Sequence, residues 1–434
     1  MFIRLVNTKN INQKSLFKNA ILNPIQGNNG LWSFLHTLKM PKEFYKELPN
    51  KSFNDIAYDI SCKYNLNCEL GDDNLKSIIK KSFDFPIITN DLSKNLSICE
   101  LYHGKSKSFK DIGISFTANI IEELYNDNYK LKIITATTGD TGSAVAAAFY
   151  DKSNIDIHIL YPKNKISLIQ KKQMTTYGRN IKCYEVNGNF DNCQNIVKKL
   201  LADKDIKNLT TCNSVNIGRI LGQLFYYFYT CKDKLDKKIN ISIPTGNLGN
   251  GLSCYIAKEM GLPINDIIFA CNENSNLSQL LNYKDIDNKK KSNKTLSNAI
   301  DILNPSNYER LNCFINKYDY HSKEKLDYLI STQTNDNEII QMINLIYYKM
   351  GITIDPHTAV AFDGLFNKYE RYERYNYEYH NIIMSTADPI KFYNEIDYGN
   401  KLKIPNEINE LLNKEEYIIN CSNDYNEIKN ILNN

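Results

Sequence analysis

Residues 131–150 read LKIITATTGDTGSAVAAAFY. LKIITA (131–136) is an apolar run of strand length, TTGDTG breaks it with two glycines, and SAVAAAFY (143–150) is a small-residue helix. A strand that turns through a glycine loop straight into a helix is the opening of a βαβ unit. The alternation repeats outward. IDIHILY (155–161), NIKCYEV (180–186), INISIP (239–244), DIIFACN (266–272) and NIIMSTA (381–387) read as further strands. Helices are expected from Gln170 to Tyr177 and along LSCYIAKEMG (252–261). This predicts a largely parallel α/β sheet, with the ligand crevice beyond the carboxyl ends of its strands. The first hundred residues read as an added helical, charge-rich region. Residues 282–294 read as a loop insertion, and the tail after Asn400 as mixed strand and helix without chemistry.

Composition narrows the function. The chain has 434 residues, room for two or three domains; 42% are hydrophobic, 24% charged, and the formal charge is +4. That is a soluble globular balance, and the excess charge is too small and scattered for a nucleic-acid partner. The start, MFIRLVNTKN, lacks the apolar core of a signal peptide, and no apolar stretch nears the ~20 residues that cross a bilayer. Eleven cysteines without a C-x-x-C pair suggest free thiols in a reducing cytoplasm, and six dispersed histidines offer no metal site.

LYHGKSKSFKDIG (101–113) contains a lysine of interest. Apolar residues at Ile112, Phe116, Ile120, Ile121 and Leu124 have helical spacing. Ser108 and Asp111 fit a capping box, which starts the helix here and puts Lys110 in its first turn. The macrodipole disfavours a cation there and favours the neutral, nucleophilic amine, and Phe109 adds desolvation in the same direction. Taken alone, a lysine near a helix start is more often a solvated surface residue.

Two loops decide the matter. PTGNLGNG (244–251) follows a strand and opens a helix, and Gly246, Gly249 and Gly251 let backbone N–H groups converge on an anion. A dinucleotide loop is the competitor, because Glu273 ends the next strand, but the glycine order is G-x-x-G-x-G. A compact phosphate suits it better. TATTGDTGSA (135–144) sets Thr137, Thr138 and Thr141 around Gly139 and Gly142, which suits a carboxylate, although capping is the commoner role for any one threonine. A helix-start lysine, a phosphate-sized loop and a carboxylate-sized loop together suggest pyridoxal 5'-phosphate.

At these residues the chain resembles the threonine synthase family. The likeness runs in order over residues 20–395, through SFKDIG, TATTGDTGSAVAAAFY, LYPKNKISLIQKKQM, NGNFDNCQ, NSVNIGRILGQLFYYF, IPTGNLGNG, TLSNAIDILNPSNYERL, DPHTAVAF and STADPIKF. The resemblance implies a fold-type II (tryptophan synthase β-like) pyridoxal phosphate enzyme, with two open α/β domains and the cofactor between them. It implies residues 1–95 as the N-terminal domain, 96–395 as the catalytic core and 396–434 as a tail packed on it. The implied reaction turns O-phospho-L-homoserine and water into L-threonine and phosphate.

By resemblance, Lys110 is the Schiff-base residue, and Gly246, Asn247, Leu248 and Gly249 cradle the cofactor phosphate. Thr386 meets the pyridine nitrogen and Asp140 lies near the phenolic oxygen. Thr138 and Thr141 face the substrate carboxylate, and Asn213, Ser214 and Arg219 clamp the substrate phosphate. His103, Lys165 and His357 lie in the same motifs, with positioning roles at least as expected as chemistry. A cytoplasmic setting is expected from the free thiols, and a monomer or homodimer is expected, the choice between them left open by the sequence. The chain departs from the family pattern at Lys105 and Lys107, which suggest a more mobile loop, and at Asp388, where histidine is usual. Two alternatives stay open: another fold-type II amino-acid lyase or dehydratase, which has no use for the Arg219 clamp, and an eroded, non-catalytic relative.

Overall fold

The apolar runs become the buried middles of two sheets. The computed structural model describes residues 5–25, 27, 30–34, 37–282, 286, 292–317, 327–372, 379–399 and 402–433. Most of the loop insertion read at 282–294 lies outside them. Strands β1 (Leu5–Asn7), β2 (Asn10–Ser15) and β3 (Trp32–Phe34) form a small antiparallel sheet, so the N-terminal region is not purely helical. Helices Phe53–Lys63 and Asp72–Ser82 follow, each with one buried face.

β4 (Ile88–Ser93) and β5 (Leu96–Glu100) make an antiparallel hairpin. β6 (Leu131–Ala136), β7 (Ile155–Pro162), β8 (Ile181–Val186) and β9 (Leu209–Thr210) come next. They are followed by β10 (Lys238–Pro244), β11 (Ile264–Asn272), β12 (Leu329–Thr334), β13 (Tyr379–Ser385) and β14 (Ile418–Cys421). One sheet has the order β12-β11-β10-β13-β5-β4 and the other β14-β8-β7-β6-β9. All pairs in both are parallel except β4–β5. β7 and β10 are buried along nearly their whole length, as strands are when helices cover both sheet faces.

The helix Lys110–Leu124 packs on the helix Ile217–Cys231, whose side chains are buried almost all round. Gly113 and Gly222 set the crossing: a Cβ on Gly222 would lie 3.0 Å from the Gly113 Cα. This close approach brings the start of the first helix beside Arg219 in the second. The C-terminal tail joins the second sheet through β14, while its helices Asn406–Leu412 and Tyr425–Asn433 pack on helices Leu168–Thr175 and Phe190–Ala202. Among the described residues no helix is long and apolar enough to cross a membrane.

Candidate active site

β6, β10 and β13 end at Ala136, Pro244 and Ser385, and the loops after them line one cleft with Lys110 and Arg219. Every residue assigned above to cofactor or substrate lines this cleft, and so does His357. His103 lies outside it, with Nε2 2.8 Å from Glu100 Oε2, and Lys165 is exposed and away from it.

Lys110 is the first residue of its helix, as the spacing predicts, but the capping box does not form. Phe109 is the N-cap residue and makes no side-chain cap. The Asp111 carboxylate turns back to accept the Ser106 N–H at 2.8 Å, and the Ser108 hydroxyl pairs with that of Ser106 at 2.9 Å. A strap holds the helix start instead, with the Phe109 N–H donating to the Thr386 carbonyl at 2.9 Å. The Phe109 ring lies 4.7 Å from Lys110 Nζ, face-on, a geometry that favours the cation rather than the free amine. Burial dominates: it lowers the Lys110 amine below its ordinary value, helped by Arg219 and Lys391 and opposed by Asp140.

Asp140 is the hub. Its Oδ2 is 3.2 Å from Lys110 Nζ, and its Oδ1 accepts from Lys391 Nζ at 2.8 Å and Gln170 Nε2 at 2.9 Å. Burial alone would raise its pKa, but the ammonium groups of Lys391 and Lys110 outweigh that and hold the carboxyl well below its usual range. In the same loop Thr137 does the capping, its hydroxyl accepting the N–H groups of Gly139 and Gly142, each at 2.9 Å. Thr138 and Thr141 line the cleft.

The loop 244–251 is braced from behind. A Cβ on Gly246 would lie 2.9 Å from the Ile300 Cα, so no other residue fits without moving backbone. His357 Nε2 accepts the Ala299 N–H at 3.1 Å and thereby holds the turn that presses on Gly246. The Asn247 Oδ1 accepts from the Ser306 N–H at 3.3 Å and its hydroxyl at 3.1 Å. Leu248 sits in the left-handed region at φ 61° with a buried side chain, a strained state for leucine that only such bracing sustains.

Arg219 is 3% exposed and lies on the far wall. Its Nη1 donates to the Cys212 carbonyl at 3.3 Å, its Nε has no partner, and no carboxylate pairs with it among the described residues. Burial lowers its pKa. Asn213 Oδ1 accepts from Thr135 beside it at 2.6 Å. Arg310, fully buried, donates to the Trp32, Ser214 and Val215 carbonyls and so holds the clamp segment from outside.

Sequence reading passed over Arg310, Gln170 and Lys391, although all three stand inside the motifs quoted above. It also expected a mobile loop at 105–107. There Lys107 Nζ lies 3.3 Å from Asp388 Oδ2 and 3.0 Å from Glu407 Oε1, so Lys107 and Asp388, both departures from the family pattern, pair with each other.

The cleft fits pyridoxal phosphate. Its lining holds buried polar atoms without hydrogen-bond partners: the donors Arg219 Nε and Asn250 Nδ2, suited to an anion, and the acceptor Gln223 Oε1, suited to a donor on a polar guest. The pyridoxal-phosphate dependent enzyme family matches residues 86–379, from just before β4 to the first residue of β13. A threonine synthase of Buchnera aphidicola subsp. Schizaphis graminum is 33% identical over 439 residues, 99% of each chain. The crystal structure of threonine synthase from Escherichia coli superposes with a TM-score of 0.89 at 29% identity, covering 99% of both chains. A pyridoxal-phosphate-bound threonine synthase from Brucella melitensis gives 0.87 at 25% identity, covering 99% of this chain and 98% of that one. Sequence and fold agree over the whole length, and the chain belongs to the threonine synthase family of pyridoxal-phosphate dependent enzymes.

Proposed function

We propose that this chain converts O-phospho-L-homoserine and water to L-threonine and phosphate, with pyridoxal phosphate as cofactor. The observation that carries the reading is Arg219, a buried guanidinium without a carboxylate partner among the described residues, in the same cleft as a lysine whose amine pKa burial lowers. A dehydratase substrate bears no phosphate and would leave that charge uncompensated at a cost of several kcal/mol.

Bound pyridoxal phosphate supplies an electron sink for the charge left when a proton leaves carbon. The chain supplies the rest. Lys110 Nζ would hold the cofactor aldehyde, and its amine would take the substrate's α proton and carry protons between neighbouring carbons. Asp140 faces it across 3.2 Å and steadies the proton on Nζ while it is carried. Gly246, Asn247, Leu248 and Gly249 hold the cofactor phosphate at a helix start, and Thr386 offers a hydroxyl to its ring nitrogen. Thr138 and Thr141 bind the substrate carboxylate. Arg219, Asn213 and Ser214 bind the substrate phosphate and stabilise its charge as it leaves the γ carbon. Water then adds at the β carbon, so the cleft must exclude it until phosphate has gone.

Residues 1–95, 96–395 and 396–434 serve in this reading as N-terminal domain, catalytic core and packed tail. The free state of all eleven cysteines supports a reducing, cytoplasmic setting, and the enzyme works there as a monomer or homodimer. The test is one assay on purified protein with cofactor and O-phospho-L-homoserine, counting phosphate and threonine, with Lys110→Ala alongside. Equal amounts of both products, lost in the variant, are expected. Phosphate released without threonine would sink the reading in favour of a lyase.

A further inference from the structure

Lys391 lies in the short helical turn Pro389–Phe392, just beyond Thr386, and its side chain is 0% exposed. A lysine buried this deeply costs several kcal/mol unless its charge is fully paired, and an apolar residue of similar length would pack without that cost. Its ammonium meets two acceptors, Asp140 Oδ1 at 2.8 Å and the Ser106 carbonyl at 2.6 Å. Gln170 donates to the same Oδ1. One oxygen of Asp140 is thereby taken, and the other is left for Lys110 alone.

We propose that Lys391 is a positioning residue for the Lys110–Asp140 pair: with Gln170 it occupies Oδ1, reserves Oδ2 for Lys110, and supplies the positive charge that lets Lys110 stand as a free amine beside a carboxylate. The charged groups around Lys110 are Asp140, Lys391 and Arg219; Asp140 also interacts with His357, on the helix Pro356–Tyr372, and with Asp111, on the Lys110 helix. A second ammonium on Asp140 makes a proton on Lys110 less needed for charge balance, and burial acts in the same direction. Lys391 also ties Asp140 to Ser106, so the loop before the Lys110 helix and the strap carrying Thr386 close on one carboxylate.

The proposal rests on Lys110 being the reactive amine, and the test separates the two. In full-length protein free of cofactor, the pH midpoint of reductive methylation at Lys110 is read by peptide mass spectrometry for wild type, Lys391→Met, Lys391→Gln and Lys391→Arg. Without the second ammonium Lys110 keeps its proton, so the midpoint in Lys391→Met should rise by about one pH unit or more. Lys391→Gln, which keeps a donor toward Asp140 without the charge, should rise likewise and serves if Lys391→Met is too unstable. Lys391→Arg should return the midpoint toward wild type. In the loaded enzyme kcat should fall on the order of 10- to 100-fold with KM for the phosphorylated substrate nearly unchanged, because Lys391 touches neither Arg219 nor Asn213. Wild-type midpoints in neutral variants that melt normally would overturn the proposal, as would a shift in Lys391→Arg equal to that in Lys391→Met. These midpoints can be read even if no threonine is ever formed.

Discussion

Asp111 follows Lys110 in the chain but turns away from the cleft, toward the Ser106 N–H. Burial pushes its carboxyl up to about 6, from an ordinary value near 3.8. The folded protein therefore holds a proton that the unfolded chain has released between about pH 4 and pH 6. Stability contributed by this group is greatest below pH 4, declines between pH 4 and 6 and levels off above 6, leaving a penalty on the order of 3 kcal/mol at neutral pH. Asp111→Asn keeps an acceptor for Ser106 and almost the same volume, which matters because Gly104 is pressed against this side chain. The variant should melt about 2–4 °C above wild type at pH 7.5 and together with it near pH 4. Coincident melting curves at both pH values would show that the carboxylate is solvated or paired at neutral pH.

At the scale of elements, Lys107 shows how a loop and a strap are joined. Its backbone is left-handed at φ 54°, its carbonyl accepts the Asp388 N–H at 3.1 Å, and its ammonium reaches Asp388 and Glu407. Asp388 uses its other oxygen to cap the next turn, accepting the Ile390 N–H at 3.0 Å. Asp388→Asn keeps that acceptor and removes the charge, so a double-mutant cycle with Lys107→Met isolates the ion pair. With both side chains partly exposed, a coupling of about 0.5 kcal/mol is expected in unfolding experiments, shrinking in ~0.5 M salt. No coupling at low salt would reduce the pair to a surface contact without energetic weight. The same elements mark where sequence reading reached and stopped. Apolar runs such as IDIHILY were legible as strands because both their faces are buried. LSICE and LISTQT, which form β5 and β12, carry polar residues and were passed over, as half-covered strands near sheet edges commonly are. Lys391 and Gln170 were illegible for another reason. Nothing local tells a surface lysine from one that folding carries to Asp140, across 251 positions of chain, 391 minus 140.

In the whole molecule, the tail bridges regions that the middle of the chain builds. β14 covers the outer edge of β8, Ile428 and Leu432 enter the core beneath helix Phe190–Ala202, and Glu407 reaches Lys107 at the rim of the site. Burying each of these two side chains contributes about 1.5–3 kcal/mol, and an uncovered β8 would present an unpaired edge to other chains. Ending the chain after Asn400 should therefore lower the melting temperature by several degrees, raise binding of an apolar dye, and favour association at high concentration. Ile428→Ala in the full chain should cost on the order of 2–4 kcal/mol without exposing the edge, which separates loss of packing from loss of strand pairing. If the shortened chain melts, binds dye and stays monodisperse like the full one, the second sheet is complete without β14. The tail's contacts would then be passive, and Glu407 could have no part in holding the loop that leads into Lys110.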